Sequence, residues 1–397
     1  MNSNRHLWTS ALVTAGVISA ASVLQAEEAA QHPVMTALQS TTISGYVDTS
    51  AIALFGSGNG TVLPGRSFDG SSKQNGFNLD VVSLAIEKPL DDSNWSAGYR
   101  AQLLFGPDAN TLGTLSTLGA STGDFAVKNA YVSLRAPVGN GLDFKFGVWD
   151  TVMGYEVFEA GNNPNYSRSY GYYLEPIVHT GVLASYKVSD VLSVNGGVAN
   201  GLKDRTIINT INSRAGYKRA GAATSDVLSY LGSVVLTAPE SLGFLKGATL
   251  YGAIMDAGIA DDPYGSQDML HFYGGATIPL GTTKLALGGA YDYRANGLFD
   301  GSYENAVSGY LTYQITEKLK LNGRGEYATG SRGAFGTATG QRAELLGVTG
   351  TLDYSLWANA ITRAEFRWDH TLSGPGVFLD GTKENALSVA LNVIYKF

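Results

Sequence analysis

Charged side chains of both signs crowd one stretch of this sequence, residues 151–177. It holds Glu156, Glu159, Arg168 and Glu175, and His179 follows just beyond. A second set, Arg294, Lys320, Arg324, Arg363 and Arg367, is spread over the C-terminal part, interleaved with Asp292, Glu326, Glu365 and Asp369. Two kinds of chemistry use such residues. Carboxylates beside a histidine do acid–base work when nucleophile and base sit within hydrogen-bond reach; Glu156, Glu159 and His179 are the candidate cluster for that. Opposed rows of charge across water instead sort solutes by sign and dipole. The chain has no HExxH, CxxC or GxSxG element and no cysteine at all, so no catalytic residue, metal ligand or cofactor site is assigned. GSGNG at 56–60 is glycine-rich like a phosphate loop but lacks the Lys-Ser/Thr pair that would follow. Asn165-Tyr166-Ser167 matches a glycosylation acceptor by chance, and His271 and His370 are isolated.

The elements that must position these charges announce themselves by period. The chain ends LNVIYKF, where Phe397, Tyr395, Val393, Leu391, Val389 and Leu387 share one parity and Lys396, Asn392 and Ser388 the other. KLKLNGRGEYA and LALGGAYDYR alternate in the same way, and period two is the mark of a strand with one oily and one wet face. Sixteen such segments are expected, at about 43–55, 76–88, 94–105, 125–136, 142–150, 178–187, 191–200, 227–237, 247–256, 268–279, 283–294, 303–315, 318–329, 341–354, 357–370 and 383–397. Short links such as PVGNG, KVSD and PLGT carry turn residues. They alternate strictly with longer links, of which 151–177 is the longest by count.

Short turns at one rim and long loops at the other are the plan of an outer-membrane barrel. Lipid offers no hydrogen bonds, so a sheet crossing it must close on itself. The expected fold is therefore all-β: a closed antiparallel transmembrane barrel of 16 strands, with 14 or 18 if a weak segment fails or a loop hides a hairpin. Strand one would be closed by the last strand. Aromatics near strand ends, among them Tyr46, Phe55, Trp95, Phe105, Trp149, Tyr186, Tyr251, Tyr293, Tyr327, Trp368, Tyr395 and Phe397, would form the interfacial girdles. Fifty glycines in 397 residues, against an ordinary share of about 7%, suit a chain of many strands and turns.

The N-terminus reads as a secretory signal peptide over 1–26: Arg5 and His6 precede an apolar, Ala-rich run that ends at Gln25-Ala26. A short periplasmic segment, 27–42, would lead into a barrel of 43–397. Removing the signal takes one cation and no acid from a balance of 27 basic and 34 acidic residues. That acidity weighs against a nucleic-acid partner.

Two resemblances add to this. The terminal alternation ending in Tyr395 and Phe397 resembles the C-terminal signal by which bacterial outer-membrane proteins are read by the barrel-assembly machinery. FGVWDTVMGYEVFEAGNNPNYSRSYGYYLEPIVHTGVLASYKVSDVLSVNGGVANG at 146–201, with ISGYVDTSAIALFGSGNG near the start, is similar to the β-barrel porin-2, OmpL-like family of Gram-negative bacteria. The resemblance implies a porin-type barrel; it supplies no catalytic residues and no settled substrate.

A barrel of this size leaves an aqueous channel. In the porins it resembles, the loop corresponding to 151–177 folds inward and narrows the pore; without that, 151–177 is a solvated surface loop. The wet strand faces put Arg294, Lys320, Arg324, Arg363 and Arg367 opposite it. Either acidic loop and basic wall set up a transverse field, or these charges pair with one another. The leading expectation is an outer-membrane porin passing small hydrophilic solutes or ions by passive diffusion, in contact with outer-membrane lipid and with a homotrimer as its plausible assembly. The alternatives are a binding or adhesion protein acting through its outer loops, and a rim-sited hydrolase using Glu156 and His179.

Overall fold

The computed structural model describes residues 40–55, 63–70, 73–112, 124–202, 227–259, 265–338, 340–374, 376–378 and 381–397. The signal peptide, most of the 27–42 segment and GSGNG lie outside these residues. Among them run sixteen strands: β1 Thr42–Phe55, β2 Gly76–Lys88, β3 Ser96–Phe105, β4 Phe125–Ala136, β5 Leu142–Asp150, β6 Val178–Lys187, β7 Leu192–Asn200, β8 Leu228–Thr237, β9 Thr249–Ala257, β10 Met269–Pro279, β11 Leu285–Ala295, β12 Tyr303–Gln314, β13 Leu319–Arg332, β14 Arg342–Trp357, β15 Ala360–Thr371 and β16 Asn385–Lys396. Each pairs with its sequence neighbours, and β1 pairs with β16, so the sheet closes into a barrel. The closing seam is antiparallel and runs from Tyr46 opposite Lys396 to Phe55 opposite Leu387. Beyond it, Gly45 and Phe397 exchange backbone hydrogen bonds of 2.8 and 3.0 Å.

Period two becomes inside and outside. On β16 Val389, Leu391, Val393 and Tyr395 are exposed on the outer face, while Ala386, Ser388, Ala390, Asn392 and Ile394 are buried on the inner one. The same sorting leaves Val307, Leu311, Val348, Leu352 and Phe366 outside, and Arg324, Glu326, Arg367 and Asp369 inside. Apolar outer faces with satisfied ladder bonds are what hydrocarbon demands.

The girdle forms with three exceptions. Phe55, Trp95, Phe105, Tyr395 and Phe397 are exposed, but Tyr46 and Trp149 are buried and Tyr251 lines the interior. Val148 and Trp149, neighbours on β5 that strict alternation would put on opposite faces, are both buried. Gly147 precedes them at φ 128, a conformation that breaks regular alternation, and a Cβ there would meet the Ala130 carbonyl. Strand ends also move. β13 runs on to Arg332 and β14 to Trp357, each through a register shift that spends an extra residue.

Candidate functional site

Residues 151–177 join β5 to β6 and carry one helical turn, α1 (Tyr170–Leu174), capped by the Ser169 hydroxyl, which accepts from Tyr172 N. The rest of the segment is irregular, so its backbone polar groups need partners outside regular structure. The wet faces of β11 to β15 supply them. Glu365 accepts from the amides of Tyr166 (2.6 Å) and Ser167 (3.0 Å), and Glu326 from that of Tyr170 (2.7 Å). Arg363 donates to the carbonyls of Ala160 (2.7 Å) and Asn163 (3.0 Å), Arg324 to Ser167 O (2.7 Å), and Arg294 to Leu174 O (3.3 Å). The Tyr170 hydroxyl reaches Asp369 at 2.6 Å, and Asn165 donates to Thr351 at 2.7 Å. The segment thus lies against wall side chains that face the barrel interior.

These wall charges are also paired. Arg324 bridges Glu156 (2.8 Å) and Glu326 (3.0 Å), Arg367 bridges Asp369 (2.9 Å) and Glu326 (3.3 Å), and Arg363 meets Asp353 at 2.9 Å. Arg294 is paired with Glu304. Arg168 does not face the wall. It ties the loop to itself, donating to the carbonyls of Val157, Phe158 and Tyr166, and stacks over Phe68 and Tyr172.

The acid–base candidates are held apart by other partners. Glu156 accepts from Arg324, the Tyr310 hydroxyl and Ser169 N. Glu159 takes Lys128 at 2.9 Å and the Gln102 amide at 3.1 Å. His179 is buried 4.9 Å from the Trp149 ring, with Nε2 3.0 Å from the Thr151 hydroxyl.

Between the loop and the short-turn half of the wall lies a cavity of about 500 Å³. Of the residues singled out by sequence, Glu156, Glu159, Glu175, Lys320 and Arg363 line it; Arg168, His179, Arg294, Arg324 and Arg367 do not. Arg100 lines it too, as do Glu87, Lys128, Asp150 and Asp353, four residues that the sequence reading of the site had not included. Arg100 pairs with Glu87, and Lys128 bridges Asp150 and Glu159. The signal that could have found Lys128 is its place between alanines on a wet face, Phe-Ala-Val-Lys-Asn-Ala. A bulge at Gln102/Leu103 then sets Lys128 and Asn129 both inward and buried.

Two loop carboxyls are shifted in opposite directions. Burial pushes Glu159 up, but the Lys128 ammonium and its hydrogen bonds outweigh burial and hold it at about 2. Burial, reinforced by the Asp292 and Glu156 carboxylates, pushes Glu175 well above the ordinary carboxyl range. Asp292 in turn lies 3.0 Å from His271 Nε2.

A closed sixteen-strand barrel with an oily exterior and a charged interior defines an outer-membrane channel of the porin class. The family model described as Putative beta-barrel porin-2, OmpL-like, matches residues 40–397, and the chain belongs to that family. Among solved structures, OprB of Pseudomonas putida superposes with TM-score 0.62 at 10% identity, covering 92% of this chain and 96% of that one. OmpF of Salmonella typhi gives 0.60 at 12%, and the outer-membrane channel DcaP of Acinetobacter baumannii 0.58 at 12%; each covers 90% of this chain and 97% of its own. At such identities these likenesses speak to fold. No curated protein matches the chain in sequence.

Proposed function

We propose that this porin passes small hydrophilic solutes by passive diffusion through a lumen that residues 151–177 narrow. The observation that carries the reading is the set of hydrogen bonds between the backbone of 160–174 and side chains on the inner faces of β11, β13 and β15. Solute size would be limited by the loop, and charge preference by the ionised groups around the remaining cavity. Arg294, Arg324, Arg363 and Arg367 would act mainly as loop anchors, because each is spent on carboxylates and loop carbonyls.

The same reading has the chain exported by a signal peptide over 1–26, assembled through its Tyr395–Phe397 end, and associated as a homotrimer. It involves no catalytic step, and Glu156, Glu159 and His179 are each committed to other partners. Liposome swelling with a size series of neutral sugars tests it. Replacing 156–174 by a short Gly-Ser link should raise the size cut-off. An unchanged cut-off in a folded variant would show that the loop is not the constriction.

A further inference from the structure

The cavity beneath the loop has two sides of different make. One side is aromatic. Tyr251 on β9, Tyr273 on β10 and Tyr155 from the loop line it, and Tyr155 stacks on Tyr310 with centroids 4.0 Å apart and planes at 16°. Tyr155 reaches over β11 only because Gly288 lacks a side chain; its hydroxyl occupies the space a Cβ there would need.

The other side carries Lys320 and Arg363 around the Asp353 carboxylate. Lys320 on β13 stands opposite Asp353 on β14, and Asp353 opposite Arg363 on β15. The Asp353 carboxylate accepts from Arg363 Nε, whose other nitrogens go to loop carbonyls. Lys320 is left with no ion-pair partner among the described residues. Lys396 on β16, outside the cavity lining, donates to neutral oxygens, Asn162 Oδ1 at 3.1 Å and Gly161 O at 3.4 Å. Arg363 is thus spent on Asp353 and the loop, and Lys320 is the lining cation whose ammonium has no carboxylate at ion-pair distance among the described residues.

Between the two sides the wall is small and neutral, Ala286 on β11 and Thr312 on β12. From β11, over which Tyr155 leans, to β13 is two strand spacings, about 10 Å, and the lysine stem shortens that gap. An anion alone would use only the cationic side, and a neutral ring only the other. We propose that this cavity is a subsite for small aromatic carboxylates, with the ring against Tyr155 and Tyr251 and the carboxylate at the Lys320 ammonium. The subsite rests on the porin reading for its access route, though binding itself does not require conduction. Charge-assisted hydrogen bonding and ring stacking would each contribute.

The test is a titration of the detergent-purified protein with sodium benzoate at low ionic strength, followed by saturation-transfer NMR. Acetate serves as the charge-only probe, and benzylamine as the same ring with the charge reversed. Benzoate should bind saturably and both controls should not. Lys320→Met should weaken benzoate about tenfold, the loss of one charge-assisted contact. Gly288→Val, which displaces Tyr155 without touching a charge, should weaken it as well, with the heat-modifiable barrel intact in both variants. Equal binding of benzylamine, no saturable binding of benzoate, or indifference to Lys320→Met overturns the subsite. Single-channel recording on the same sample separates the two readings: saturable benzoate binding without conductance removes the channel and keeps the subsite, whereas conductance without binding does the reverse.

Discussion

Glu159 and Glu175 sit in one loop and titrate in opposite senses. For Glu159 the folded value, about 2, lies below the ordinary 4.5. Its stabilising contribution is complete above 4.5 and is lost as pH falls toward 2. Conductance should therefore become noisier on acidification through that window, and Glu159→Gln should show the noise already at neutral pH. Glu175 runs the other way. Its raised value means the folded protein keeps a proton that the unfolded chain releases, so this site is most favourable below 4.5 and costs stability as pH climbs. Glu175→Gln retains a hydrogen-bond donor toward Asp292 without the proton equilibrium. Its thermal midpoint in detergent should fall less than the wild type's as pH is raised above the ordinary carboxyl range. A parallel fall in both proteins would remove Glu175 as the cause.

At the scale of elements, the account turns on how 151–177 is held. Arg324 is its most connected anchor, touching Glu156, Glu326, the carbonyl and hydroxyl of Ser167 and the carbonyl of Arg168. Removing one member of such a buried set leaves carboxylates unpaired, a cost of about 3–5 kcal/mol. Arg324→Ala should thus loosen the loop while the sheet stays closed. Limited proteolysis should cut within 151–177 in the variant and leave the wild type intact; cuts elsewhere would place the weakness in another element. Strands were legible in the sequence to within a few residues because lipid outside and water inside enforce strict alternation. β4 and β5 illustrate this, with both ends as expected. The failures have local causes. Gly147 turned Val148 inward, and the bulge in β4 brought Lys128 to the site. The charges around the loop were legible as residue types, but which of them anchor and which face the cavity depends on where irregular backbone meets the wall. Period two says nothing about that.

At the scale of the whole molecule, closure is made by the first and last strands. The Phe397 ring packs over Gly45, where a Cβ would meet the ring and the Ser83 carbonyl. Deleting Phe397 removes two backbone bonds and this ring from the seam, and should lower the yield of heat-modifiable barrel in the outer membrane. An unchanged yield would relieve the terminal aromatic of that role. The central claim is a water-filled barrel narrowed by a charged loop, and the most direct measurement is single-channel conductance in a planar bilayer under a salt gradient. The account predicts stepwise openings, and an Arg324→Ala variant with larger, noisier steps. A folded, heat-modifiable barrel that shows no openings would contradict it.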